Sequence, residues 1–187
     1  VYGEIADDDS TENARSVFFA EIAKEFDRLR EQSNLDIIAR PSSAHRALLV
    51  NRYYGGTAAT GQLVEELAED LHATGIEVTV LTGDLGYETM SILPGRNELA
   101  NGVHIHRISS TQFGRSNPLN RLMDFAFFYF SAIAWIARTI PDRYSHILTF
   151  TDPPLIAILG RIAQRVKKWR FIYGIQDLYP DTALALG

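Results

Sequence analysis

The strongest constraint on the fold is a change of rhythm at Arg46. From there, short apolar runs at 47–50, 76–82, 103–108, 147–150 and 171–175 alternate with longer stretches of helical period. Parallel strands need a long crossover between them, so this alternation predicts a parallel sheet with helices on its faces. The first helix carries Leu63, Val64, Leu67, Ala68 and Leu71 on one stripe, with Gly75 as its stop. Residues 83–101 contain Gly86, Pro94 and Gly95 without a clear period and read as a long surface loop. A long apolar helix over about 119–140 ends at Pro141. Its uncharged run, 125–137, falls well short of the ~20 residues of a bilayer span. The next helix is expected to bury Leu155, Leu159, Ile162 and Val166. The fold class is therefore α/β, a Rossmann-like parallel sheet flanked by helices, with right-handed crossovers.

Residues 1–45 break this rhythm and read as a helical leader and linker. Ser10 or Thr11 can cap a helix bearing Phe18, Ile22, Phe26 and Leu29, and Pro41-Ser42-Ser43 interrupts the linker that follows. The core domain is then 46–187. Hydrophobic residues at 46% and charged residues at 22% suit a globular chain rather than a disordered one. With no cysteine among the 187 residues, disulfides, thiolate metal sites and cysteine nucleophiles are excluded. Charge is unevenly spread: 8 basic and 18 acidic residues lie in 1–102, against 10 basic and 3 acidic in 103–175. A basic, aromatic-rich half suits an anionic partner or a solvated helix face, and Arg161, Arg165, Lys167, Lys168 and Arg170 fit either.

Ligands of open α/β sheets bind beyond the carboxyl ends of the strands, which directs attention to three segments. After the first strand, 51–61 contains Tyr54, Gly55, Gly56 and Thr57. Adjacent glycines let a ligand approach the backbone, and the following helix N-terminus favours phosphate. A structural turn would use the same residues. The loop lacks the G-x-G-x-x-G fingerprint, and no acid stands at Thr82-Gly83 to hold a ribose. After the fourth strand come Thr151-Asp152-Pro153-Pro154, either a stiffened carboxylate at the sheet edge or a capped helix start. After the fifth come Gln176-Asp177-Leu178-Tyr179-Pro180-Asp181, whose amide, carboxylates and phenol suit sugar hydroxyls or another capped helix. Asp152 and Asp177 follow neighbouring apolar runs and are expected to share one crevice. His104 and His106 share a strand face, but no third ligand of matching spacing accompanies them, so a surface pair is expected rather than a metal site. No G-x-S-x-G elbow and no Walker A motif occurs.

Over residues 46–187 the chain resembles the N-terminal domain of glycosyltransferase family 4 (group 1), in particular bacterial surface-polysaccharide enzymes similar to fucosamine transferases. The resemblance is carried, in order, by RALLVNRYY, GQLVEELAEDLHATGIEVTVLTG, GVHIHRI, FGRSNPLNRLMDF, TDPPL and QDLYPDTALALG. It implies the acceptor-side half of a two-lobed GT-B enzyme that moves a sugar from a nucleotide donor with retention. The resemblance places the donor-binding lobe outside residues 46–187, so this domain alone is expected to be inactive. The resemblance implies that Gly55, Gly56 and Thr57 reach the donor diphosphate, with Tyr54 and Arg115 also binding substrate. Thr151 and Gln176 stand where many members place histidines; with Asp152 and Asp177 they are the implied catalytic set. The nucleotide sugar is a substrate, and no cofactor or metal is implied.

The partners so implied are a nucleotide sugar and a glycan or lipid-linked sugar acceptor, not nucleic acid. The expected location is the cytoplasm, at the inner face of the cytoplasmic membrane where the acceptor is lipid-linked. The aromatic helix with Phe125, Phe127, Phe128, Phe130 and Trp135 is expected to be mostly buried, with a peripheral membrane edge as the lesser expectation. An exposed cleft wall would favour self-association. Two alternatives stay open: an acceptor-recruiting subunit of a split glycosyltransferase, and a GT-B-fold UDP-N-acetylglucosamine epimerase or other nucleotide-binding Rossmann protein.

Overall fold

The computed structural model describes residues 46–85, 95–111 and 118–175, together with Lys24, which is helical. The chain divides into two units, 1–44 and 45–187, and the second contains the sheet. The leader stripe and linker expected in 1–45 otherwise lie outside the described residues.

Six strands, β1 (Arg46–Val50), β2 (Glu77–Gly83), β3 (Asn97–Ala100), β4 (Val103–Ile108), β5 (His146–Thr149) and β6 (Arg170–Tyr173), form one sheet in the order β3-β4-β2-β1-β5-β6. Every neighbouring pair is parallel except β3 with β4. The five parallel strands alone run third, second, first, fourth, fifth, the doubly wound Rossmann order. Among the described residues three helices flank them: α1 (Ala59–Ala73), α2 (Pro118–Arg138) and α3 (Ala157–Lys167). A 3-10 turn, Pro141–Arg143, leads into β5.

The continuous apolar run of β1 follows from its central place, since Ala47, Leu48, Leu49 and Val50 are all fully buried. Register pairs Leu48 with Ile147, and Val50 with Leu81. These four meet Phe128, Ala132 and Ile136 of α2, and Leu159 and Ala163 of α3, in one core. Each such aliphatic side chain contributes roughly 1.5–3 kcal/mol on leaving water. The β1–β2 crossover runs the opposite way along the sheet, so α1 covers the other face with Val64, Leu67, Ala68 and Leu71. Gly75, at φ 90°, ends that helix: its N–H donates to the His72 carbonyl (2.8 Å), and the Ile76 N–H to that of Leu71 (3.2 Å).

Three expectations are corrected. The loop expected over 83–101 contains β3, an exposed edge strand hairpinned to β4 through Asn101-Gly102, both at positive φ. That is the geometry of a two-residue I′ turn, and it makes the sheet mixed rather than wholly parallel. In α3 the buried positions are Leu159, Gly160 and Ala163, while Val166 is 64% exposed and Leu155 lies outside the helix, 71% exposed. The cause is that Gly160 brings the helix against Phe171, shifting the contact stripe. Nor is α2 mostly buried: Leu119, Leu122, Met123, Phe127, Phe130 and Ile133 lie outward, opposite the stripe of Phe128, Ala132 and Ile136. The helix is apolar around most of its girth, and the sheet can cover only one side of it.

Candidate functional site

Chain direction along the sheet reverses between β1 and β5, so the loops leaving their carboxyl ends diverge to opposite faces and open a crevice there. The loop after β1 is tightly built. Asn51 is fully buried, and its side-chain amide donates to the Tyr53 carbonyl (2.8 Å). The Arg52 carbonyl accepts from the Gly83 N–H (3.0 Å) and the Thr82 hydroxyl (3.1 Å), fixing the loop to the end of β2. Gly83 has no room for a side chain: a Cβ would lie 2.6 Å from Ser110 Oγ.

Gly55 and Gly56 both adopt positive φ, 63° and 71°, which other residues take up only at a cost. The Gly55 N–H donates to the Gly61 carbonyl (2.9 Å), and Gln62 Nε2 donates to the Gly56 carbonyl (2.9 Å). Gly61 is required as well, because a Cβ there would sit 2.5 Å from the Gly55 carbonyl oxygen. Gly56 and Thr57 are exposed at the start of α1, whose N-cap, Ala58, provides no side-chain hydrogen bond. No acidic residue occupies the first turn of that helix, so its positive end is uncompensated there. Glu65 lies one turn further in, with its carboxylate 2.9 Å from where a Gly55 Cβ would be. Burial, then Glu69 and Glu66, raises its pKa.

The segment after β5 leaves the end of the neighbouring strand. Asp152 joins Pro153 through a cis peptide and is half-buried, as is Thr151. The capped helix start considered for Asp152 does not occur, since α3 begins at Ala157 with Ile156 as N-cap. Leu155 instead takes φ 69°, a conformation that costs a leucine about 1–2 kcal/mol.

Tyr129, on α2, links these parts. Its hydroxyl donates toward the carbonyls of Pro153 (3.2 Å) and Pro154. Burial pushes its ionisation well above that of an ordinary phenol; Asp152 and Tyr173 add to the shift and Arg52 opposes it. The phenol thus stays neutral, amid groups from the carboxyl ends of β1, β5 and β6. Arg52 also lies over the rings of Phe125 (4.9 Å) and Tyr53 (5.5 Å), a cation–π clamp between the β1 loop and α2. Three buried side-chain oxygens without a hydrogen-bond partner, Asn51 Oδ1, Thr149 Oγ1 and Thr151 Oγ1, fall at the ends of these same two strands.

Of the residues singled out in the sequence, Gly55, Gly56, Thr57 and Tyr54 follow β1 and Thr151 and Asp152 follow β5, at adjacent strand ends. Burial, then Glu65, pushes the Tyr54 phenol well above its usual range. Gln176, Asp177 and Arg115 lie outside the described residues. Arg52, Tyr129 and Tyr173 were not singled out as site residues; Tyr129 carries the one hydroxyl in the aromatic run 125–130, a weak signal. Asp84 was missed too. Because β2 extends to Gly83, this acid directly follows the strand, and its Oδ1 accepts the Ser110 N–H (2.7 Å).

The architecture is that of a Rossmann-like α/β domain, with its candidate ligand site at the reversal of strand order. Compared with protein-family models and with curated proteins, the sequence matches none.

Proposed function

We propose that this domain is the acceptor-side half of a retaining, nucleotide-sugar-dependent glycosyltransferase of polysaccharide synthesis. The observation that carries the reading is the adjacency of the Gly55-Gly56 loop and the Thr151-Asp152 segment at the β1/β5 reversal, with Tyr129 and Arg52 beside them. In this reading, N–H groups at the start of α1 meet the donor diphosphate. Asp152, with Thr151 and, from the sequence alone, Gln176 and Asp177, orients the acceptor hydroxyl or the donor sugar. Neutral Tyr129 supports the Pro153-Pro154 backbone that carries Asp152. The chemical step needs the donor's own lobe, so this half binds and orients rather than turning over substrate.

A lipid-linked acceptor fits the outer face of α2. Its exposed apolar side chains run from Leu119 to Ile133, with Arg121 and Arg138 toward its ends and Arg161, Arg165 and Lys168 exposed on or beside α3. Such a surface suits the headgroup region of an anionic membrane. Among the described residues no helix is long and apolar enough to cross a membrane.

A second reading, a dinucleotide-binding domain, is favoured by Asp84, which stands where such domains hold the ribose. Calorimetric titration separates the two. The sugar-transfer reading expects weak, saturable heat with UDP-N-acetylglucosamine and none with NAD. Tight NAD binding would overturn it.

A further inference from the structure

At the opposite end of the sheet, near the amino ends of β2 and β4, lies a cavity of about 400 Å³. It falls within the usual size range of small-molecule pockets. Thr79, His104 and His106 form its floor, on one sheet face by register, and Asn97 of β3 lies opposite His106. The wall is the end of α2, through Trp135 and Thr139, and the turn before β5, through Arg143 and Tyr144. From Thr79 to the end of β2 is about 13 Å at strand rise, so the cavity is separate from the reversal site.

Its chemistry is mixed aromatic and polar. The Trp135 indole lies 5.2 Å from the His106 imidazole, centroid to centroid. His106 Nδ1 is bonded to the Asn97 side-chain oxygen. Burial, and Arg96 nearby, lowers the His106 pKa, so the ring is neutral at pH 7. With Nδ1–H donating to Asn97, Nε2 is left as an acceptor. Of the charged groups on the lining, Glu98 pairs with Arg107 (3.1 Å), and Arg143 reaches Glu77 (3.6 Å), which Arg46 holds more closely (2.6 Å). Among the described residues no cluster of three or more histidine, aspartate or glutamate side chains placed to hold a metal ion occurs.

We propose that this cavity is a glycan-binding subsite for a sugar ring, stacked against Trp135 and hydrogen-bonded by His104, His106 and Asn97. An aromatic ring beside several donors and acceptors matches a pyranose, which has an apolar C–H face and hydroxyls at its edge. A nucleobase would use the indole but leave the polar floor poorly paired. The proposal goes beyond the sugar-transfer reading and stands without it.

The test is NMR on the labelled chain, following the histidine and tryptophan side-chain signals during titration with methyl α-glucoside and methyl N-acetyl-β-glucosaminide. Uridine and inorganic phosphate serve as controls. Saturable shifts at Trp135 and His106 are expected with at least one glycoside, and with neither control. Because Trp135 packs against the core, the variant of choice is the double substitution Asn97→Ala/His104→Ala, both exposed positions. With an otherwise unchanged amide spectrum, it should weaken glycoside binding by about tenfold or more. No saturable shift, a response to uridine or phosphate alone, or undiminished affinity in the double variant overturns the proposal. Shifts at Gly55 and Gly56 with a nucleotide sugar report on the other site, so the two readings can fail separately.

Discussion

Gly160 leaves no slack between α3 and β6: a Cβ there would lie 2.0 Å from the Phe171 ring. Gly160→Ala should therefore cost about 1–3 kcal/mol as overpacking. The change should appear as a lower urea midpoint with an unchanged slope. Nothing in the local sequence marks this glycine, because the constraint comes from a ring eleven positions away in another element. Gly75 was legible, since a glycine after a helical stripe is itself the C-terminal signal. Glu65 carries the clearest pH dependence. Its raised pKa means that the folded state holds its proton more tightly than the unfolded chain does. Stability should therefore fall as pH rises from the ordinary glutamate pKa through the folded one, then level off. Glu65→Gln should remove that slope and stabilise the domain at pH 7, as measured by urea unfolding between pH 4 and 7. An unchanged profile would show that the carboxylate is not the cause. The same substitution removes a negative charge beside the glycine loop and should tighten diphosphate binding.

The elements divide by how many faces they bury. Central strands bury both faces, so β1 announced itself as four apolar residues in a row. Edge strand β3, Asn97–Ala100, buries neither and has no such pattern; the available signal was the Asn101-Gly102 dipeptide, which favours a two-residue hairpin turn. The same limit explains α2. Its composition shows apolar residues on every side but not which side the sheet takes, and the outward set includes Phe130 at 74% exposure. If that face meets lipid, the chain should float with anionic vesicles at low ionic strength and be released by salt. Phe130→Glu should abolish flotation and leave the unfolding midpoint nearly unchanged, because the side chain is exposed. Equal flotation of the two proteins would remove the lipid contact.

For the whole molecule, strand–helix alternation made the Rossmann-like class legible before any contact was known, and the right-handed crossover rule leaves few other strand orders. The site was legible only in part. Loops following strands could be named from sequence, and Gly55, Gly56 and Asp152 follow adjacent strands. Tyr129 and Arg52 required tertiary structure, since α2 meets the β5 exit only once the sheet is wound. Asp84 escaped notice because β2 runs one residue further than its apolar run, to Gly83, which puts this acid at the strand exit.

The most direct measurement is an amide NMR titration of the labelled chain with UDP-N-acetylglucosamine. Saturable shifts confined to Gly55, Gly56, Thr57 and the first turn of α1, reduced by Gly56→Ala, are expected if the reversal site holds a nucleotide sugar. No shift at these amides, or shifts there with NAD and not with the nucleotide sugar, would contradict it.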